Sequence, residues 1–227
     1  MGKVRSKRYR KCLEKVPPKA VGISEAITVL KGFDATKFDS TVNLVVHLGI
    51  DPKQADQALR GAISMPHGIG QSKKVIAFCD GDDIAKAKEA GAIEAGADDL
   101  IKKVNDGWLD FDVAIATPAM MKNVSRLGRV LGPQGKMPSP KAGTVVTEIA
   151  PAVREYAAGK VEFRNDDYGN LHVVVGKMSF DAEKLAQNIS AFLDHVRRIK
   201  PASSKGTYIK KAVVSGTMTP GVQLDVQ

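Results

Sequence analysis

Two cysteines in 227 residues, Cys12 and Cys79, are too few and too far apart for a disulfide framework or a cysteine-based metal site. The four histidines add no ligand set. His47, His67, His172 and His195 show no His-Glu-x-x-His spacing and no cysteine companion. No apolar run approaches the length of a membrane span, and the first residues lack the apolar core of a secretory signal. These absences exclude a disulfide-stapled module, a zinc domain and a helical membrane protein. The chain reads as cytosolic.

Nucleotide-binding loops are missing too, although glycine-rich stretches invite the search. In "GRVLGPQGKMPSPKAGTV" (128–145), a Walker-type phosphate loop needs a glycine five residues before Gly135-Lys136 and a hydroxyl after it. Val130 and Met137 stand there instead, and Pro133, Pro138 and Pro140 each remove a backbone N–H donor. "HGIGQSK" begins like a dinucleotide fingerprint at Gly68 and Gly70. Its third position is Lys73, and it precedes a strand rather than following one.

One enzymatic pattern is present. Asp80 and Asp82 follow the apolar run 73–79 and resemble the nucleophile and acid of haloacid-dehalogenase phosphotransferases; Thr117 also ends a buried strand, and Asp98-Asp99 are candidates to hold magnesium. Ile84 stands where that family needs a threonine, and Asp98-Asp99 precedes Thr117, which is the wrong order. A magnesium-dependent phosphotransferase using Asp80 and Asp82 is therefore the alternative reading.

What the chain does have is positive charge, unevenly spread. Residues 1–69 hold 12 basic and 6 acidic side chains, residues 70–158 hold 12 and 12, and residues 159–227 hold 10 and 7. Both ends are basic around a neutral middle. The first 19 residues carry eight lysines and arginines against Glu14 alone. Such a segment suits a polyanion, or is simply solvated. Met1-Gly2-Lys3-Val4-Arg5-Ser6 also fits the loose N-myristoylation pattern.

The middle alternates strands and helices: strands at 73–79 and 111–117, helical composition from Asp82, over 118–131 and over 148–159. That rhythm predicts a small parallel-sheet domain. The ends differ. "TVNLVVHL" sets Val42, Leu44, Val46 and Leu48 against Thr41, Asn43, Val45 and His47. The runs 160–166 and 170–177 flank "DDYG" like a hairpin, a helix from about Asp181 carries Leu185, Ile189, Phe192, Leu193 and Val196 on one stripe, and 207–215 and 222–226 read as strands. The expectation is an α+β domain split between 1–68 and 160–227, with an α/β domain inserted at 69–159. "MPHGIG" (65–70) and "AAGK" (157–160) would be its hinges.

Leu127-Gly128-Arg129, Leu131-Gly132-Pro133, Gly135, Met137-Pro138 and Pro140-Lys141 resemble the signature of the bacterial large-subunit ribosomal protein L-one family. "KFDSTVNLVVHLGIDPKQADQALRG", "MPHGIG", "VEFRNDDYGNLHVVVGKMSF", "PASSKGTYIK" and "GTMTPGV" extend the likeness along the chain. The resemblance implies a split RNA-binding domain with an inserted Rossmann-like three-layer α/β domain, no catalysis, no cofactor, and a monomer when free. It implies binding to large-subunit ribosomal RNA at the mobile stalk near the tRNA exit site, in the cytoplasm on the ribosome. It also implies contact with exit-site tRNA and repression of the protein's own operon mRNA. The family's RNA-binding positions fall on Glu25, Lys37, Phe38, Thr41, Arg164, Asn165, His172, Lys177, Ser179, Ser215, Thr217 and Met218. Thr219 replaces the family's usual glycine. Arg126, just before the 128–145 loop, and Arg129, Lys136 and Lys141 within it either touch tRNA or serve an internal role.

Overall fold

Ser6 accepts a hydrogen bond from the Tyr9 backbone N–H at 3.3 Å and starts a helix in the basic N-terminal segment. The computed structural model describes residues 5–34, 36–54 and 56–226, so positions 1–4 of the myristoylation pattern lie outside the described residues. The chain divides into two compact units, Met1–Gly70 with Phe163–Gln227, and Gln71–Glu162.

In the first unit α1 (Lys7–Glu14) buries only Cys12, so this part of the basic segment is a mostly exposed helix. The next helix, α2 (Ile23–Lys31), buries Ala26, Ile27 and Leu30 at helical spacing. Glu25 in its first turn and Lys31 in its last complement the helix dipole. β1 (Thr41–Leu48) alternates half-buried and buried residues throughout, with Val42, Leu44, Val46 and Leu48 inside. The short β2 (Arg60–Ile63) follows.

The second unit runs β3 (Val75–Phe78), α3 (Asp83–Glu89), β4 (Glu94–Gly96), α4 (Asp98–Asn105), β5 (Val113–Ala116), α5 (Met121–Val124), α6 (Gly128–Leu131) and α7 (Ile149–Ala157). Its strands form a parallel sheet in the order β4-β3-β5, and every residue of β3 and β5 is buried. The helix expected over 118–131 is broken into α5, a tight turn at Ser125–Leu127, and α6. The Ser125 hydroxyl donates to the Lys122 carbonyl at 2.7 Å, and the tightened turn brings Val124, Leu127 and Leu131 into one core with Phe78 and Phe111. Pro151 sits in the first turn of α7, and Gly159, at a φ of 103°, follows its end.

The chain then returns to the first unit through β6 (Val161–Arg164), followed by β7 (Asn170–Lys177), α8 (Ala182–Arg198), β8 (Ile209–Gly216) and β9 (Val222–Leu224). β7, β1, β8 and β9 form an antiparallel sheet in that order. α2 and α8 pack on each other and on one face of this sheet. Leu185, Ile189, Phe192, Leu193 and Val196 of α8 are buried.

One expectation needs correction. The runs around "DDYG" are not a hairpin ladder: β6 pairs with β2, β7 pairs with β1, and a single bridge joins Asn165 to Leu171. Asn165 explains this, because its backbone N–H donates to the Leu59 carbonyl at 3.0 Å and its Oδ1 accepts from the Leu59 N–H at 2.8 Å. The 65–70 segment, expected as a hinge, is packed within the first unit. Met65 and Ile69 are buried, and the Asn188 side chain of α8 accepts from the His67 N–H and donates to the Gly68 carbonyl. Gly70 has a φ of 71°, and a Cβ there would come within 2.7 Å of the Phe180 ring.

Candidate nucleic-acid interface

With α2 and α8 on one face of the antiparallel sheet, the half-buried alternate residues line the other. Strand register arranges them in rows. Thr41 lies opposite Lys177, Asn43 opposite Val174 and Ser215, Val45 opposite His172 and Val213, and His47 opposite Asn170 and Lys211. An antiparallel sheet can present one such open face. Short polar side chains with three valines between them make a surface that is neither core nor a solid field of charge.

At one end of this face the strands are stitched by side chains. The Lys177 ammonium donates to the Thr41 hydroxyl at 3.0 Å, the Thr41 N–H donates to the Thr217 hydroxyl at 3.1 Å, and that hydroxyl donates to the Thr41 carbonyl at 3.3 Å. Residues 136 and 176 positions apart thus meet within one hydrogen-bond network. Met218 follows, 55% exposed, and its carbonyl accepts from the Arg8 guanidinium of α1 at 3.1 Å. Phe38, 52% exposed, stands beside Lys37 on the preceding loop. That loop is tied down, because Asp39 accepts from both the N–H and the hydroxyl of Ser179.

Thr219 changes less than a lost glycine suggests. Among the described residues no non-glycine has a positive φ, so this turn does not require one. The Thr219 hydroxyl instead accepts from the Gly216 N–H at 2.8 Å and closes the turn.

A second group surrounds Asp166. Its carboxylate accepts from the backbone N–H groups of Tyr168 at 2.9 Å and Asn170 at 2.7 Å, and from the Asn170 side chain at 2.8 Å. The His172 ring lies 3.5 Å away. Desolvation raises its pKa, but the bonds from Asn170, Tyr168 and His172 outweigh that and bring the carboxyl down to about 2. Asn170 in turn bonds His47 at 2.8 Å. Arg164 and His172 are exposed here, whereas the Asn165 side chain is spent on Leu59 and Asp166.

Lys177, Thr41 and Thr217 therefore meet directly, with Met218 following Thr217 in the same turn and Ser179 joined to the Phe38 loop through Asp39. Ser215 and His172 lie on the same open face. Glu25 stands apart, on the helix layer. Sequence reasoning did not nominate Asn43, Val45, His47 or Lys211, whereas Arg8 already stood among the basic residues of the N-terminal segment that suit a polyanion. The alternation in "TVNLVVHL" already marked the first three, whereas the Arg8 contact spans 210 positions and left no local signal.

The second unit offers little chemistry at Asp80 and Asp82. Burial and then the neighbouring Asp83 and Asp80 push the Cys79 thiol up to about 11. The Thr117 hydroxyl accepts from the Met120 N–H, and Asp98 and Asp99 form the first turn of α4, with Asp98 accepting from Asn123. Among the described residues no three His, Cys, Asp or Glu side chains are grouped to hold a metal ion. The 128–145 loop is braced internally. Lys136 donates to the Leu109 carbonyl at 3.0 Å and lies over the Phe111 ring, Ser139 and Thr144 bond each other, and the Tyr156 hydroxyl donates to the Ala142 carbonyl at 2.7 Å. Arg126, Arg129 and Lys141 are exposed.

Comparison with known proteins fits a site without catalytic groups. The model of the ribosomal protein L1p/L10e family matches residues 30–220. The large ribosomal subunit protein uL1 of Rhodopirellula baltica is 56% identical over 224 residues, 99% of both chains. That of Kosmotoga olearia is 51% identical over 226 residues, 98% of this chain and 97% of the other. That of Cutibacterium acnes is 51% identical over 222 residues, 97% and 96% of the two chains. The phosphotransferase reading falls with this result, since the family is not enzymatic. The chain belongs to the ribosomal protein L1p/L10e family.

Proposed function

We propose that the chain is a structural protein of the large ribosomal subunit that binds ribosomal RNA through the open sheet face and adjoining turns of its first unit. The observation that carries this reading is the Lys177–Thr41–Thr217 network beside exposed Met218 and Phe38. It lies in the unit that holds 21 basic and 12 acidic residues, against 13 and 13 in the other. Phosphates are neutralised by lysines and arginines, while short side chains and the two exposed apolar groups fit RNA shape.

The finer reading follows the family likeness. The RNA is the mobile stalk near the tRNA exit site, and the twelve residues from Glu25 to Met218 supply its contacts. The protein acts in the cytoplasm on the ribosome, is a monomer when free, and represses its own operon mRNA by binding a mimic of the stalk. The second unit is a Rossmann-like three-layer insertion, and its exposed Arg126, Arg129 and Lys141 face exit-site tRNA. Gel-shift titration against a stalk rRNA fragment, with its own mRNA leader and an unrelated hairpin as competitors, tests this. Tight binding of the first two is expected. Equal affinity for the unrelated hairpin sinks the reading.

A further inference from the structure

Beside the stitched end of the sheet is a pocket of about 280 Å³, close to the lower bound of about 300 Å³ for small-ligand sites. Buried Phe33, half-buried Met178 and exposed Phe38 give it apolar walls. Thr219, from the turn that carries Thr217 and Met218, also lines it. Polar groups stand around these walls. Ser40, 3% exposed, is hydrogen-bonded to Thr36. One donor of the Lys31 ammonium goes to the Phe180 carbonyl, and a lysine has three. Among the described residues Asp34 has a single ion partner at 3.7 Å, Lys15, whose ammonium also bonds the Gly32 carbonyl at 3.0 Å.

We propose that this pocket receives one unpaired guanine of a bound RNA, its ring against Phe38 and its Watson–Crick edge read by Asp34 and Lys31. The inference rests on the reading that the first unit binds RNA. A carboxylate only accepts hydrogen bonds, and guanine alone presents two adjacent donors, N1–H and the N2 amino group, to such a group. Its O6 beside them is the acceptor that Lys31 serves. Adenine and cytosine offer Asp34 one amino group next to a bare ring nitrogen, and uracil flanks its one donor with carbonyls. Asp34 and Asp39 on the rim oppose a phosphate, so a base enters and its backbone stays outside. Sequence-specific RNA recognition favours unstacked bases held on aromatic side chains in this way. The shared turn puts the pocket within a strand's reach of Met218.

The test uses the full chain with its methionine methyl groups labelled with ¹³C, titrated with guanosine, adenosine, cytidine and uridine, with the Met178 methyl signal as reporter. Guanosine should shift Met178 at concentrations about tenfold or more below the other three, the scale of one bidentate base contact. Asp34→Asn should abolish that preference while Met120, buried in the second unit, keeps its wild-type signal. A silent Met178 with all four nucleosides overturns the proposal, as does an equal response unaffected by Asp34→Asn. Because no rRNA is used, the two readings fail separately. Guanosine binding without stalk binding removes the rRNA reading, and stalk binding with a silent Met178 removes the pocket.

Discussion

The two units solve the same packing problem with opposite consequences for their surfaces. In the second, the parallel strands β3 and β5 are buried at every position, so its sheet has no face to offer, and its charges cancel. In the first, helices cover one side of an antiparallel sheet, alternate residues remain half-exposed on the other, and the whole +9 resides. In the proposed reading, binding capacity follows from strand direction and charge placement together. Parallel strands need crossovers that cover both faces, whereas antiparallel ones do not.

The sharpest test separates the units. Residues 1–70 joined by a short linker to 163–227 should bind a stalk rRNA fragment within about tenfold of the whole chain. Residues 71–162 alone should bind on the order of 10³-fold more weakly, the usual gap between specific and non-specific binding. Comparable affinity of the two fragments would erase the contrast.

Phe78→Ala, in the fully buried β3, should destabilise the second unit by about 3–5 kcal/mol in thermal or urea unfolding. RNA affinity at 25 °C should hardly change. A parallel loss of affinity would mean that the second unit carries part of the binding.

Within the first unit, charge and fit should part company. Thr217→Ala removes the hydroxyl that joins β8's turn to Thr41 and should weaken RNA binding by about 1–3 kcal/mol without altering its salt dependence. Lys177→Gln should lower the log–log salt slope by roughly 0.7 to 0.9 if one phosphate contact is lost. Identical slopes for the wild type and Lys177→Gln would take this lysine off the phosphate backbone.

The smallest effect concerns the Asp166 turn. Its folded pKa, about 2, lies below the ordinary 3.8, so its stabilisation is complete above the ordinary value and fades as pH falls through about 2. The amide protons of Tyr168 and Asn170 should lose exchange protection across pH 4 to 2 while those of β1 keep it. Asp166→Asn should remove that dependence.

Local periodicity reported burial well where one element faces one layer. The alternation over 41–48 and the apolar stripe of α8 were legible because each follows from a side-chain repeat of about two or 3.6. β4 escaped because three residues, Glu94–Gly96, carry no period, and α4 because Asp98 and Asp99 looked like ligands rather than a helix's first turn. The partner of β6 was not legible, since proximity to β7 in sequence outweighs Leu59, 106 positions away, until Asn165 is seen bonding to it. For the interface, the residue pattern marked the open face of β1. The twelve nominated positions came from family likeness, and their RNA contacts remain the proposal tested above.

By itself the sequence determined the two kinds of sheet, the uneven charge, the lack of metal-ligand spacing and the family, because composition, period and motif order are properties of neighbours along the chain. Tertiary structure decided which strands pair, how Thr217 reaches Thr41, that Lys136 braces its own unit, and that Thr219 closes its turn without a positive φ. Each of those outcomes depends on hydrogen-bonding groups brought together by burial elsewhere. A backbone donor or carboxylate takes whichever partner the packed core leaves within about 3 Å, and no local pattern encodes that choice.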